Sequence, residues 1–301
     1  MRAFSNFHLF AICVLIWGST WLAITFQLGS VAPEMSIAYR FVLASLCVFA
    51  YCRWRAIRLG FTLKQHGEFA IFGAAMFSVS YIFVYYAETN IASGMVAIAY
   101  SASPMVNMLM ARALFGTPMT LRVSLGAGFG ILGIAAVFWH EFALLSASRN
   151  ASLGASLALL SVFISSMGSM AASRIHQRGY PTWSSMGWGM FYGGMLALLI
   201  GLGLGRSLTF VPTLAYVGSL LYLTILGSVV TFACYLTLQA RIGVARAAYV
   251  GVMTPVVALV VSFFFENFAW GWLTTLGVLL LIVGNIVILK KPPAATTESA
   301  A

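Results

Sequence analysis

The residues with chemistry to offer stand one helical turn apart. Ser78, Tyr81, Tyr85 and Glu88 are spaced by three or four, and so are Tyr100, Ser103 and Asn107. The same spacing joins Ser161, Ser165 and Ser169, and again Ser228, Thr231, Tyr235 and Gln239. Trp17, Thr20 and Trp21 make a further set. Residues three and four apart share one face of a helix. Each set sits inside a long apolar run, so each is a polar stripe on a helix with no polar solvent beside it. Such a stripe turns to a bundle interior or a wet cavity. The chemistry on offer is recognition: hydroxyls, amides and phenols form hydrogen bonds, and indole and phenol rings offer flat apolar faces. Any single Ser or Thr reads equally as a small packing residue.

Glu88 is the one acid placed to lie inside a bundle. It reads as a proton carrier, a partner for a substrate amine or an outer gate, set against a solvated carboxylate at a helix end, where an acid costs little. Arg40 stands on the second turn of its run. It reads as a structural residue that bonds loop carbonyls or pairs with an acid, in preference to an anion site. Pro104 and Pro255 lie in mid-run. A proline frees the carbonyl four residues earlier, here at Tyr100 and Gly251. At membrane depth such carbonyls face protein or a wet cavity, so the two prolines predict kinks that wall a central cavity.

The elements that must position these residues follow from composition. Of 301 residues, 61% are hydrophobic and 7% charged, against about 25% charged in an ordinary soluble domain. Mean hydropathy is +0.98. A soluble core of this size could not hide so much apolar surface, and a disordered chain would not carry it. The solvent is lipid, and the partner is a bilayer. A spanning helix needs about 20 apolar residues. Ten such runs occur, at 8–28, 34–52, 67–88, 91–115, 121–139, 153–173, 183–204, 213–238, 244–266 and 271–289. The first follows Arg2 with no convincing cleavage site and reads as a retained helix.

The positive charges test that number. Of the 16 Lys and Arg, 13 fall in the segments that are cytoplasmic when the N-terminus is: Arg2, Arg53, Arg55, Arg58, Lys64, Arg112, Arg122, Arg174, Arg178, Arg241, Arg246, Lys290 and Lys291. Ten helices with both termini cytoplasmic is the arrangement that obeys the positive-inside rule. The net charge of +10 is scattered in this way and forms no nucleic-acid patch.

The chain repeats itself. A shift of 151 lays Pro104 on Pro255, Ile91 on Ile242, Gly126 on Gly277 and Gly133 on Gly284. A shift of 148 lays Pro33 on Pro181. Five helices per half is an odd number, so the second half is inverted, with units at 1–148 and 149–291 and a disordered tail at 292–301. Inverted halves suit alternating access.

Several motifs are decoys. Gly128-x-Gly130-x-x-Gly133 matches a dinucleotide fingerprint but lies inside an apolar run with no preceding strand. Gly126 with Gly130, Gly189 with Gly193, and Gly201 with Gly205 read as close-packing faces. His140-Glu141 lacks the second histidine of a zinc helix. The four cysteines read as small buried apolar residues. No Walker loop is present, and the four histidines lie at helix ends or in loops. The reading is therefore no metal, no cofactor and no intramembrane enzyme.

With Trp17-Gly18-Ser19, Pro33, Arg40, Glu88-x-x-Ile91-x-Ser93-Gly94, Pro104, Gly126 and Gly133, and their echoes Pro255, Glu266, Gly277 and Gly284, the chain resembles the drug/metabolite transporter superfamily in its EamA-type branch. It departs from the pattern near Thr117, where an acid is usual. The resemblance implies an exporter of amino acids, related metabolites or drugs, with helices 1, 3, 4, 6, 8 and 9 around a central cavity. The expectation is an all-α, multi-pass inner-membrane transporter, monomer or homodimer, moving a small-molecule substrate by alternating access. Trp17, Tyr81, Tyr85, Tyr100 and Tyr235 would wall the site. Ser103, Asn107, Ser165, Thr231 and Gln239 would meet polar groups. The rival expectation is efflux of lipophilic cations paired to Glu88.

Overall fold

The structure is a computed structural model that describes residues 4–116, 121–137, 139, 149–247, 250–265 and 271–289. Arg2, Thr117, His140, Glu141, Glu266, Lys290, Lys291 and the tail 292–301 lie outside the described residues. Among the described residues no strand occurs. The helices are α1 (Asn6–Thr25), α2 (Pro33–Trp54), α3 (Leu63–Glu88), α4 (Ser93–Leu114), α5 (Leu121–Val137), α6 (Arg149–Gln177), α7 (Thr182–Gly203), α8 (Leu214–Ile242), α9 (Val250–Phe265) and α10 (Trp272–Leu289). A helical turn at Val244–Ala247 precedes α9. By length and composition α1, α2, α3, α4, α6, α7 and α8 can cross a membrane, and shorter apolar stretches lie in α5, α9 and α10.

Local chemistry sets several ends. Pro33 opens α2, where its missing N–H is no loss. Thr62 and Gln65 form a reciprocal capping box at the start of α3, with the Thr62 N–H on Gln65 Oε1 at 2.8 Å. α8 ends at Gly243, whose φ of +85° lets the chain turn at once toward α9.

Three helices depart from regularity. α3 widens to a π-helix at Ala75–Val79 and α8 at Leu223–Val230. Carried back to this segment, the shift of 151 places the first within the second. α4 is interrupted: one piece ends at Tyr100, and the next starts at Ser103. Pro104 therefore opens a new piece, whereas Pro255 lies within α9.

The helices pair in a regular way. α2 packs on α7, α5 on α10 and α4 on α9. α1 packs on α8 and α9, while α6 packs on α3 and α4; α2 meets α8, and α7 meets α3. Exchanging each helix with the one five places away turns every pairing into another of the set. Glycines allow the closest approaches. Gly73 of α3 meets Gly189 and Gly193 of α7, and Gly133 of α5 meets Gly277 of α10. Gly205 is different: it lies past the end of α7 at φ +74° with nothing near it, so Gly201 and Gly205 form no joint face. Gly201 packs alone, against Met35 and Glu34.

Candidate functional site

Six helices enclose one cavity of about 800 Å³ of empty space, counted out to its mouth. α1 contributes Trp17, Thr20, Trp21 and Ile24, and α3 contributes Met76, Ser80, Tyr81 and Val84. α4 supplies Tyr100, Ser103 and Asn107, while α6 supplies Ser165, Ser166 and Ser169. Phe232 and Tyr235 come from α8, and Gly251 and Thr254 from α9. None of these lining side chains is ionisable as an acid or base near neutral pH.

The break in α4 shapes one wall. Pro104 has no N–H, so the Tyr100 carbonyl loses its partner four residues on. The Ser103 hydroxyl donates to that carbonyl at 2.5 Å instead. Gly251 lies against the same oxygen: a Cβ there would stand 3.1 Å from it. Gly251 is the repeat counterpart of Tyr100, so the two proline-linked positions meet at the cavity.

The π segment of α8 shapes another. A wide turn offers carbonyls to side-chain donors, and such turns gather at functional sites. Trp17 Nε1 donates to the Gly227 carbonyl at 3.2 Å. Ser228 and Thr231 hydroxyls donate to the carbonyls five residues back, at 2.8 and 2.6 Å. The Trp17 ring then packs 5.0 Å from both Phe232 and Tyr235, and Trp21 packs 5.0 Å from Tyr100, centroid to centroid.

Three lining polar atoms are buried and have no hydrogen-bond partner: Trp21 Nε1, Asn107 Oδ1 and Ser166 Oγ. A buried polar group left unmet costs about 1–3 kcal/mol. Their arrangement offers one fixed donor, one acceptor and one hydroxyl among flat rings.

Of the eleven residues assigned to the site from the sequence, Trp17, Tyr81, Tyr100, Ser103, Asn107, Ser165 and Tyr235 line this cavity, and so do Thr20, Trp21 and Ser169 from the same stripes. Four stand elsewhere. The Tyr85 hydroxyl donates to Gln27 Oε1 at 2.7 Å, because the cavity face of α3 runs through Ser80, Tyr81 and Val84 and leaves Tyr85 off its edge. Thr231 is bonded within α8. Gln239 Nε2 donates to the Ser169 carbonyl at 3.2 Å, tying α8 to α6 beyond the lining. Glu88 ends α3, buried and outside the lining. Sequence reasoning missed Ile24, Met76, Val84 and Phe232, which carry no signal in an apolar chain, and Thr254, which stands next to Pro255. Ser80 and Ser166 are neighbours of chosen residues and were within reach.

Comparison with known proteins bears on what this cavity serves. The family model for the EamA-like transporter family matches twice, at residues 7–139 and 152–290. The chain is 28% identical over 259 residues to the uncharacterized inner membrane transporter YedA of Escherichia coli (strain K12), covering 84% of this chain and 80% of YedA. It is 25% identical to Protein PecM of Dickeya dadantii (strain 3937), covering 86% and 83% of the two chains. A solved crystal structure aligns with a TM-score of 0.67 at 17% identity, covering 94% of this chain and 96% of that one, a likeness of fold.

Proposed function

The chain belongs to the EamA-like transporter family, and from that premise we propose that it is a secondary transporter exporting amino acids or related small metabolites across the inner membrane. The observation that carries the substrate class is the cavity: rings and unmet polar atoms, with no charged side chain among its lining. A solute with net charge would enter such a site without a counter-charge, at high cost. A neutral or zwitterionic solute with an apolar body fits it. Trp17, Tyr81, Tyr100 and Tyr235 hold that body; Trp21, Asn107 and Ser166 meet its polar groups.

Ten spanning helices, in inverted units at 1–148 and 149–291 with both termini cytoplasmic, complete this reading. Two matches to one family model and a set of helix pairings that maps onto itself on exchange of halves support it. Exchanging the conformations of the halves would move the cavity's opening from one face to the other. Export as the direction rests on the resemblance, and inner-membrane placement on the printed name of YedA.

The test is efflux from cells preloaded with a panel of labelled amino acids. Cells overproducing the protein should release at least one group faster than cells with an empty vector. No acceleration for any amino acid would overturn the amino-acid reading. Trp21→Phe keeps an aromatic face but removes the indole N–H and part of the ring surface, so it should weaken apparent affinity at least about fivefold, the equivalent of about 1 kcal/mol. An unchanged KM would remove Trp21 from the site.

The rival, efflux of lipophilic cations, draws support from the rings, which attract cations to their faces. Glu88 stands outside the lining, so Glu88→Gln should leave amino-acid efflux near the wild-type rate. Cation resistance that vanishes with Glu88→Gln would decide for the rival.

A further inference from the structure

Arg40 is almost fully buried, at 1% exposure, and its surroundings differ from what the sequence suggested. It bonds no loop carbonyl and pairs with no acid among the described residues. Nε donates to the Ser228 hydroxyl at 2.9 Å, and Ser228 passes the bond to the Leu223 carbonyl in the π segment of α8. The guanidinium carbon lies 4.7 Å from the Tyr81 ring centroid and 4.9 Å from that of Phe41. Nη1 has no hydrogen-bond partner. A guanidinium does not deprotonate in proteins, and burial of a charge without an anion is costly.

The helices that hold its partners carry further unpartnered donors. Thr224 stands one turn before Ser228 on α8, and Ser78 one turn before Tyr81 on α3; both hydroxyls are buried without a partner. Gln27, which accepts the Tyr85 hydroxyl, has an unpartnered Nε2. A permanent cation that keeps an unpartnered N–H and bonds no acid among the described residues is completed by an anion.

The cavity lies next to this cluster. Tyr81 lines the cavity and stacks on Arg40. Thr20 also lines it, and a Cβ on Gly227 would stand 2.8 Å from Thr20 Cγ2 and 3.5 Å from Arg40 Nη2. Tyr81, which touches both, stands between the cation and the substrate space.

We propose that Arg40 is the carboxylate-recognition residue of this transporter, taking a substrate's carboxylate on Nη1 past the Tyr81 ring while the apolar body stays among the cavity rings. The inference rests on the proposed function and sharpens it: the substrates are zwitterions that carry a carboxylate, and the corresponding amines and amides are poor ones. The charge that the lining lacks is held one layer behind it.

The test uses purified protein in liposomes and four labelled probes: leucine, phenylalanine, leucinamide and phenylalaninamide. The readout is the ratio of acid to amide transport. The wild-type ratio should be well above one. Arg40→Gln should lower it at least about tenfold, since hydrogen bonds to charged groups are worth more than neutral ones. Arg40→Lys keeps the charge without the fork and should fall between; it carries the test alone if Arg40→Gln does not accumulate. A wild-type ratio near one, or an unchanged ratio in the variants, overturns the proposal. So does an equal loss of acid and amide in both variants, which marks a purely structural arginine. A matching fall in Glu88→Gln would assign the anion to the protein itself and overturn it also. If wild-type protein moves none of the probes, the proposed function fails first, and this inference falls with it.

Discussion

Asn107→Ala protein should transport about ten- to a hundredfold more slowly than wild type while folding as well or better. Asn107 is 2% exposed, lines the cavity, and its Oδ1 has no partner. An unmet buried acceptor burdens the free protein by about 1–3 kcal/mol. Alanine removes that burden and leaves a small void in a space that is already open. Stability and transport should therefore move apart: unfolding at the same or a higher temperature in detergent, with transport largely lost. A merely structural asparagine would lower both together. Efflux at the wild-type rate from equal amounts of inserted protein would remove Asn107 from the site and the cavity from the mechanism.

Gly73→Ala should destabilise the protein by roughly 3 kcal/mol or more, at the upper end of overpacking effects. A Cβ at Gly73 would overlap the Gly189 carbonyl oxygen and stand 3.0 Å from the Gly193 nitrogen. Both are backbone atoms and cannot rotate away, so α3 and α7 must separate. Phe72 and Phe77 pack at this crossing, against Gly189 and Gly193, and would lose contacts with it. The control is Gly128→Ala on α5, where a Cβ meets nothing within 4 Å. The measurement is the fraction of extracted protein that stays monodisperse during a thermal ramp. Equal survival of the two variants would show that α3 and α7 do not cross at Gly73.

Much of the architecture was legible in the residues. The run at 34–52 and the helix Pro33–Trp54 agree because Pro33 marks an end that no apolar count could blur. The run at 67–88 starts later than Leu63 because its first turn carries Lys64, Gln65 and His66, which hydropathy discards and the Thr62 cap retains. Pro104 announced a lost hydrogen bond but not its form. The same residue type breaks α4 and is carried inside α9, since the outcome depends on what packs against each helix. The π segments had no signature: one inserted residue per turn leaves composition unchanged.

The site divides along the same line. Trp17, Tyr100, Ser103 and Asn107 were readable because a polar or aromatic stripe in an apolar helix is rare and has few places to go. Tyr85 and Tyr81 carry the same signal one turn apart, yet one bonds Gln27 and the other walls the cavity. Arg40 was visible as a charge within an apolar run, but not as a cation stacked on Tyr81.

From residues alone, then, come the solvent, the apolar helices, the repeat and the candidate stripes, because each depends on local composition and spacing. Helix rotation, the pairing of α1 with α8 and α9, the cavity and the setting of Arg40 came only with the tertiary structure. In lipid every outward face is apolar, so no amphipathic pattern tells a helix which side to turn inward. Close contacts such as Gly73 with Gly189, between residues far apart in the chain, make that choice.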